Sequence, residues 1–327
     1  MVQYIYGVCG GAVPPQIFLQ QRKKMNTVKI KAYAKLNLTL QITGVKDGYH
    51  LLDSLVCSLD IFDYIVLKKR KDGLSSVTMH GMGGESIPPE KNNALKAAEA
   101  FSARFQTTGA DITVYKNIPI GAGLGGSSAD ISGVLNGMAK LYSIQDDDAL
   151  GELADSLGSD TRYMLKGGFA RMQGRGEKVT ALEKMPTLYF LLLCPNDGVS
   201  AGACYKKYDE LQANDGLKNT VNATDNCIAA LQQNDINGVG RYVMNDLFPA
   251  ASVLSASVAR AMEEAQAFSP LGAVMTGSGS CVAALFETKE LCEWAKSRYR
   301  GKFTAMIAKT VDPSLQDKGW KNPFALF

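Results

Sequence analysis

Apolar and polar residues alternate along much of the first third of the chain, and helical spacing takes over between the alternating runs. Val28, Ile30 and Ala32, then Leu36, Leu38, Leu40 and Ile42, fall on every second position, which predicts extended structure over 28–42. A hairpin turn follows at 44–48, a further strand over 51–67 and another over 76–80. Ala94, Leu95, Ala98, Phe101 and Phe105 share one face behind Asn92, which predicts a capped helix over 92–105. Ile112 and Val114 alternate with Thr113 and Tyr115 as a half-buried strand. Ile131, Val134, Leu135, Met138, Ala139 and Tyr142 then recur at helical spacing.

Farther along, 147–157 reads as a helix closed by Gly158, 188–195 as a buried strand, and the segment after Ser200 as a helix containing Tyr205. A polar loop is expected over 214–226, then helices over 227–231, 239–247 and 255–267. A glycine loop at Gly277-Ser278-Gly279 runs into a buried strand. A helix over 290–299 and a strand over 304–309 follow, and no element is assigned from Pro313 onward.

The stretch between the 111–116 strand and the next helix, Pro119-Ile120-Gly121-Ala122-Gly123-Leu124-Gly125-Gly126-Ser127-Ser128-Ala129-Asp130, carries the chemistry. Four glycines in six positions open backbone angles closed to other residues and let an anion approach the amides. The free N–H groups and positive dipole end of the helix then face that anion, and the serines add hydroxyls, one of which can reach a metal ion. The physical reading is a polyphosphate cradle. A dinucleotide fold would need an acidic residue ending a second strand roughly 20 residues on, and the residues there, Asp146 to Asp148, begin a helix instead. No G-K-[ST] completes a Walker loop, and neither H-R-D nor D-F-G occurs.

Composition narrows the class. The 327 residues suggest two domains or one large one, and 46% hydrophobic with 20% charged residues is ordinary for a soluble globular chain. A net charge of +3 is too mild to argue for nucleic acid or membrane, and no apolar run reaches membrane-spanning length. Seven cysteines without a C-x-x-C pair read as reduced core thiols of a cytoplasmic protein, and two histidines make a zinc site improbable. Residues 1–24 do not match the rest, so the start is expected at Met25 or the leader to be disordered.

Three local features ask for explanation. Lys35 stands inside an apolar strand corner, either pointing to solvent or held by a partner, because an unpaired buried ammonium is costly. Tyr49-His50 at the hairpin exit is either a strand edge or a ligand site. Asp160 follows a helix C-terminus, where the dipole disfavours a carboxylate, so something else should hold it.

P-I-G-A-G-L-G-G-S-S-A resembles the signature of the small-molecule kinases named for galactokinase, homoserine kinase, mevalonate kinase and phosphomevalonate kinase, the GHMP kinases. A-K-L-N-L followed by D-G-Y-H-L-L resembles the branch that phosphorylates the 2-hydroxyl of 4-diphosphocytidyl-2-C-methyl-D-erythritol in the non-mevalonate isoprenoid pathway. The resemblance covers about 28–309 and implies an α+β fold: an N-terminal domain like ribosomal protein S5 domain 2 over 25–185, a ferredoxin-like C-terminal domain over 186–312, and a tail over 313–327. It implies ATP on Pro119, Gly121, Ala122, Gly123, Leu124, Gly125, Gly126, Ser127, Ser128 and Ala129, with Mg²⁺ on few protein ligands, Ser128 among them. It makes Asp160 the catalytic base and Lys35 its cationic partner, with Asn37 beside them. Tyr49, His50 and Tyr205 would hold the cytosine, the two tyrosines as a sandwich, and Gly277, Ser278 and Gly279 would close over the substrate phosphates. The partner is a small cytidine-diphosphate substrate, neither nucleic acid nor membrane, on a monomer or homodimer. The family pattern after the aspartate is Val-Pro-Phe, and this chain has Thr161-Arg162-Tyr163, which sets a cation beside the base and removes a proline. Two alternatives stay open: a homoserine or mevalonate type of the same family, and a degenerate nucleotide-binding homologue without turnover.

Overall fold

The computed structural model describes residues 26–88, 91–215 and 222–316; the expected leader and Met25 lie outside these, as does the tail beyond 316. In chain order the first half runs β1 (Thr27–Asn37), β2 (Thr39–Lys46), β3 (Tyr49–Lys69), β4 (Ser76–His80), α1 (Asn93–Phe105), β5 (Ala110–Tyr115), α2 (Gly126–Tyr142), α3 (Asp147–Leu157), α4 (Thr161–Lys166), β6 (Phe169–Gly174) and β7 (Lys178–Leu182). The second half runs β8 (Tyr189–Cys194), α5 (Ala201–Asp215), α6 (Ala223–Gln232), α7 (Ile236–Tyr242), β9 (Met244–Asn245), α8 (Phe248–Leu254), α9 (Ala256–Gln266), β10 (Gly272–Met275), β11 (Val282–Phe286), α10 (Lys289–Arg298), β12 (Thr304–Val311) and α11 (Pro313–Gln316).

The sheet is organised on β3, which pairs antiparallel with β1, β2, β5, β6 and β12 along its 21 residues. Asp47 (φ 52°) and Gly48 (φ 77°) make the two-residue turn into it, the left-handed pair whose twist matches a hairpin. Helix α2 lies across β1 and β3 and buries Val134, Leu135 and Met138 completely. Its approach is close enough that a methyl on Gly137 would stand 2.3 Å from Leu67 Cδ1. In the second half β8 lies between β11 and β12, and β12 also pairs with β3, so the strands of both halves join one hydrogen-bonded system.

Several expectations change. Helix α6 begins at Ala223 and α5 extends to Asp215, so the polar run over 214–226 is not a continuous loop; its middle, 216–221, lies outside the described residues. The apolar spacing over 239–247 does not carry a helix through, because α7 stops at Tyr242 and Met244–Asn245 pair in parallel with Thr39 and Leu40 of β2. Gly158 ends α3 with φ 171°, an extended rather than left-handed exit. The six described cysteines are free and buried, and among the described residues no helix is long and apolar enough to cross a membrane.

Candidate active site

The cradle forms as its residue types require. Gly121, Gly123 and Gly125 take φ of 71°, 74° and 73°, and Gly125 is the N-cap of α2 with no side chain capping it. The first amides of the helix are therefore left for an external acceptor, the fit a polyphosphate needs. Ala129 is placed differently from its neighbours. Its N–H is already used by Gly125 O at 2.8 Å and its side chain is buried in the core, so it does not face the cleft.

Lys35 is the buried alternative of the two its sequence allowed. The β1–β3 register shifts between Tyr33 and Lys35 with the extra residues on β3, so Lys35 keeps the face of Lys31 and Tyr33, which the glycine loop covers at this end of the strand. Its backbone N–H donates to Leu124 O of the glycine loop at 3.0 Å, and its side chain is 5% exposed. Lys35 Nζ donates to Asn37 Oδ1 and lies 3.4 Å from Asp160 Oδ2. The aspartate that had no reason to follow α3 is thus held by a cation, while its own side chain remains 30% exposed to the cleft.

Asn37 ties this pair to the second glycine loop. Its side chain donates to Ser54 Oγ at 2.9 Å, and its Oδ1 accepts from Gly277 N at 3.1 Å. Two residues that sequence reasoning missed complete the tie. Thr276 Oγ1 donates to Gly123 O at 3.2 Å, and Asn245 Nδ2 reaches Met275 O at 2.7 Å and Gly277 O at 2.8 Å. No spacing marks Asn245, whose segment fits a helical pattern.

At the far end of the same cleft, of about 930 Å³, stand Tyr49, His50, Arg175, Tyr205, Lys206 and Asp209. His50 stacks on Tyr205 with ring centroids 4.7 Å apart, and its Nε2 lies 2.7 Å from Asp209 Oδ1. Tyr49 is instead covered on one face by the Arg175 guanidinium, 3.8 Å from the ring centre. The two tyrosines expected as a cytosine sandwich thus each meet another side chain here, Tyr205 the His50 ring and Tyr49 the Arg175 guanidinium. Gly277, Ser278 and Gly279 line the cleft opposite the first loop.

In the Thr161-Arg162-Tyr163 departure the cation is paired with Asp155 and not with Asp160. Arg162 turns away and binds Asp155 of α3 through Nε at 2.8 Å and Nη2 at 2.6 Å. The Tyr163 hydroxyl donates to Gly168 O at 2.7 Å, so the added oxygen is satisfied in the core. Thr161 is the costly member, since its hydroxyl is buried without a hydrogen-bond partner. Thr161→Val, which keeps the shape and removes the orphan, should raise stability by about 1 kcal/mol in urea unfolding. An unchanged midpoint would mean the hydroxyl is satisfied in solution.

For Mg²⁺ the donor set is sparse. Among the described residues no three His, Cys, Asp or Glu side chains cluster as a metal site. Ser128 and Asp160 offer oxygens at the cleft, which fits an ion carried largely by a polyphosphate and not one caged by protein.

Comparison with known proteins agrees with this geometry. Residues 92–170 match the model of the GHMP kinases N terminal domain and residues 227–301 that of the GHMP kinases C terminal. The chain is 33% identical over 291 residues to the 4-diphosphocytidyl-2-C-methyl-D-erythritol kinase of Clostridium beijerinckii, covering 87% of this chain and 100% of that one. It is 34% identical over 294 residues to the enzyme of the same name from Caldanaerobacter subterraneus subsp. tengcongensis, covering 88% and 99%. Among solved structures, a 4-(cytidine 5'-diphospho)-2C-methyl-D-erythritol kinase superposes with a TM-score of 0.70 at 26% identity over 86% of this chain and 98% of that one. A homoserine kinase from Cytophaga hutchinsonii shares the fold, with a TM-score of 0.67 at 19% identity over 90% and 97%. With two glycine loops tied through Asn37 and a lysine–aspartate pair between them, and with relatives of this similarity along nearly their whole length, the chain belongs to the GHMP kinase family.

Proposed function

We propose that the protein transfers the γ-phosphoryl group of ATP to the 2-hydroxyl of 4-diphosphocytidyl-2-C-methyl-D-erythritol. The observation that carries the reading is the Lys35–Asp160 pair, set between an uncapped helix start and an aromatic, hydrogen-bonding end of one cleft. The α2 amides and the Ser127 and Ser128 hydroxyls would bind the triphosphate. Mg²⁺, brought with the nucleotide and touched by Ser128, would neutralise phosphate charge. Asp160 would accept the proton of the acceptor hydroxyl as its oxygen bonds to phosphorus, and Lys35 would balance charge on the transferring group. Asn37 keeps Lys35 aimed by occupying one of its donors. Positioning carries most of the rate, since little covalent work falls to the protein.

The cytosine end supports the branch. A phenol or imidazole face stacks a pyrimidine, and the His50 ring, oriented by Asp209, presents its other nitrogen for hydrogen bonding. Tyr205→Ala should raise KM for the cytidine substrate about tenfold with kcat changed less, because roughly 1–1.5 kcal/mol of stacking is lost. The deciding assay is ADP release with Mg-ATP, with and without this substrate, beside homoserine and mevalonate. Turnover with homoserine or mevalonate alone would reassign the branch, and nucleotide binding without turnover on any of the three would leave a non-catalytic homologue.

A further inference from the structure

Arg175 lines the cleft from the turn between β6 and β7, where Gln173 pairs with Lys178. Gly174 and Gly176 flank it at φ 71° and 109°. Its own backbone N–H donates to Glu177 Oε2 at 2.6 Å, which braces the turn from inside. A methyl on Gly176 would stand 2.8 Å from Ser159 O, so the turn is seated on the residue before Asp160. On the other side Gly174 pairs with Leu52 of β3, just past Tyr49 and His50. The fold thus fixes Arg175 between Asp160 and the aromatic end of the cleft.

Its charge is uncommitted. Among the described residues no carboxylate forms an ion pair with the Arg175 guanidinium, which lies over the Tyr49 ring 3.8 Å from its centre. Stacking of this kind sets the plane of the fork and leaves its in-plane N–H donors for an anion. The other cations of the cleft are placed differently. Lys35 is held by Asp160 and Asn37, and Lys116 by Asp63 and Asp130. Lys91 lies beside Asn92 and Asn93, on the side of the first glycine loop. Lys206, next to Tyr205 on α5, is an exposed ammonium, a point charge without a planar fork. An acceptor with its base at His50 and Tyr205 and its hydroxyl at Asp160 must carry its linking phosphates across the gap between them. Each phosphorus of such a diester bears a negative charge, and Arg175 borders that gap.

We propose that Arg175 binds the diphosphate of the acceptor substrate, its fork taking phosphate oxygens while the guanidinium stays stacked on Tyr49. It thereby selects a diphosphate-bearing acceptor over a compact hydroxy acid such as homoserine or mevalonate, which reaches only the Asp160 end. Because the turn and the stack already fix the side chain, little rotamer freedom is lost on binding. This rests on the reading of His50, Tyr49 and Tyr205 as the cytosine end.

The test is calorimetry with cytidine, CMP and CDP, each titrated into protein whose first glycine loop is filled by Mg²⁺ and a non-hydrolysable ATP analogue. The wild-type protein should bind CDP at least about tenfold tighter than cytidine. Arg175→Gln should shrink that preference to within about threefold while the affinity for cytidine itself moves less than about threefold. Arg175→Lys, which keeps the charge and loses the fork, should fall between. With the full acceptor substrate, Arg175→Gln should raise KM about tenfold and leave kcat within about threefold. A preference that survives Arg175→Gln overturns the proposal, and its loss in Lys206→Gln instead would put the diphosphate on α5. Equal weakening of cytidine and CDP also overturns it, since that marks a residue that only braces Tyr49. A wild-type protein that binds cytidine and gains nothing from the phosphates rejects the proposal with the cytosine reading intact. Binding of none of the three rejects both.

Discussion

Asp160→Asn is expected to lower turnover by on the order of 10³-fold while ATP still binds and the fold persists. Asparagine keeps the size of the side chain at a position 30% exposed, so little packing is disturbed. It cannot accept the proton of an attacking hydroxyl, and it leaves Lys35 without its opposite charge 3.4 Å away. That lysine is 5% exposed, so the variant also carries a less compensated cation in the core, and a modest fall in stability should accompany the loss of rate. Steady-state ADP release, read beside ATP binding by calorimetry, separates the two effects. If turnover falls less than tenfold, the base lies elsewhere in the cleft. If ATP binding is lost too, Asp160 holds the site together instead of taking a proton.

Gly123→Ala should be nearly as damaging for a different reason. Gly123 sits at φ 74°, a conformation that costs an L side chain about 1–2 kcal/mol. More decisively, its added methyl would stand 2.1 Å from Thr276 O and 3.0 Å from Gly279 O, both backbone atoms of the facing loop. One loop must shift by an ångström or more, and the Thr276–Gly123 and Gly277–Asn37 hydrogen bonds go with it. Misplacement on that scale costs on the order of 10²-fold in kcat/KM. Gly73→Ala, at φ 79° outside the cleft and with nothing within 4 Å of its added methyl, is the control for backbone strain alone. Equal losses in the two variants would mean that strain, not the meeting of the loops, sets the effect.

Much of this site could be read from the chain because its chemistry is local. A strand, a glycine run and a helix in sequence define a cradle whatever surrounds them, and Asn92 ahead of an apolar face defines α1. Asp160 announced that it needed a partner simply by following a helix end. What escaped reading depended on contacts distant in sequence or on a single irregularity. Alternation cannot reveal that Lys35, on the same face as Lys31 and Tyr33, is buried, because the glycine loop that covers it comes from far along the chain. Asn245 belongs to a segment whose apolar spacing suits a helix, and pairing with Thr39 and Leu40 overrides that preference. The Tyr49–Arg175 pair joins two turns far apart in the chain, and Arg162 was expected beside Asp160 because Asp155, one helical face away, leaves no mark in the motif.

Strand β12 carries a consequence for how the protein is made. Thr310 and Val311 of β12 pair with Leu59 and Ser58 of β3, and β12 also flanks β8. During synthesis, then, β3 has been outside the ribosome for about 250 residues before its final neighbour emerges, and Asn37 waits almost as long for Thr276 and Gly277. Closing contacts so far apart is slow. The nascent chain should therefore remain without a working cleft, and with an open sheet edge for chaperones to shield, until β12 has been translated.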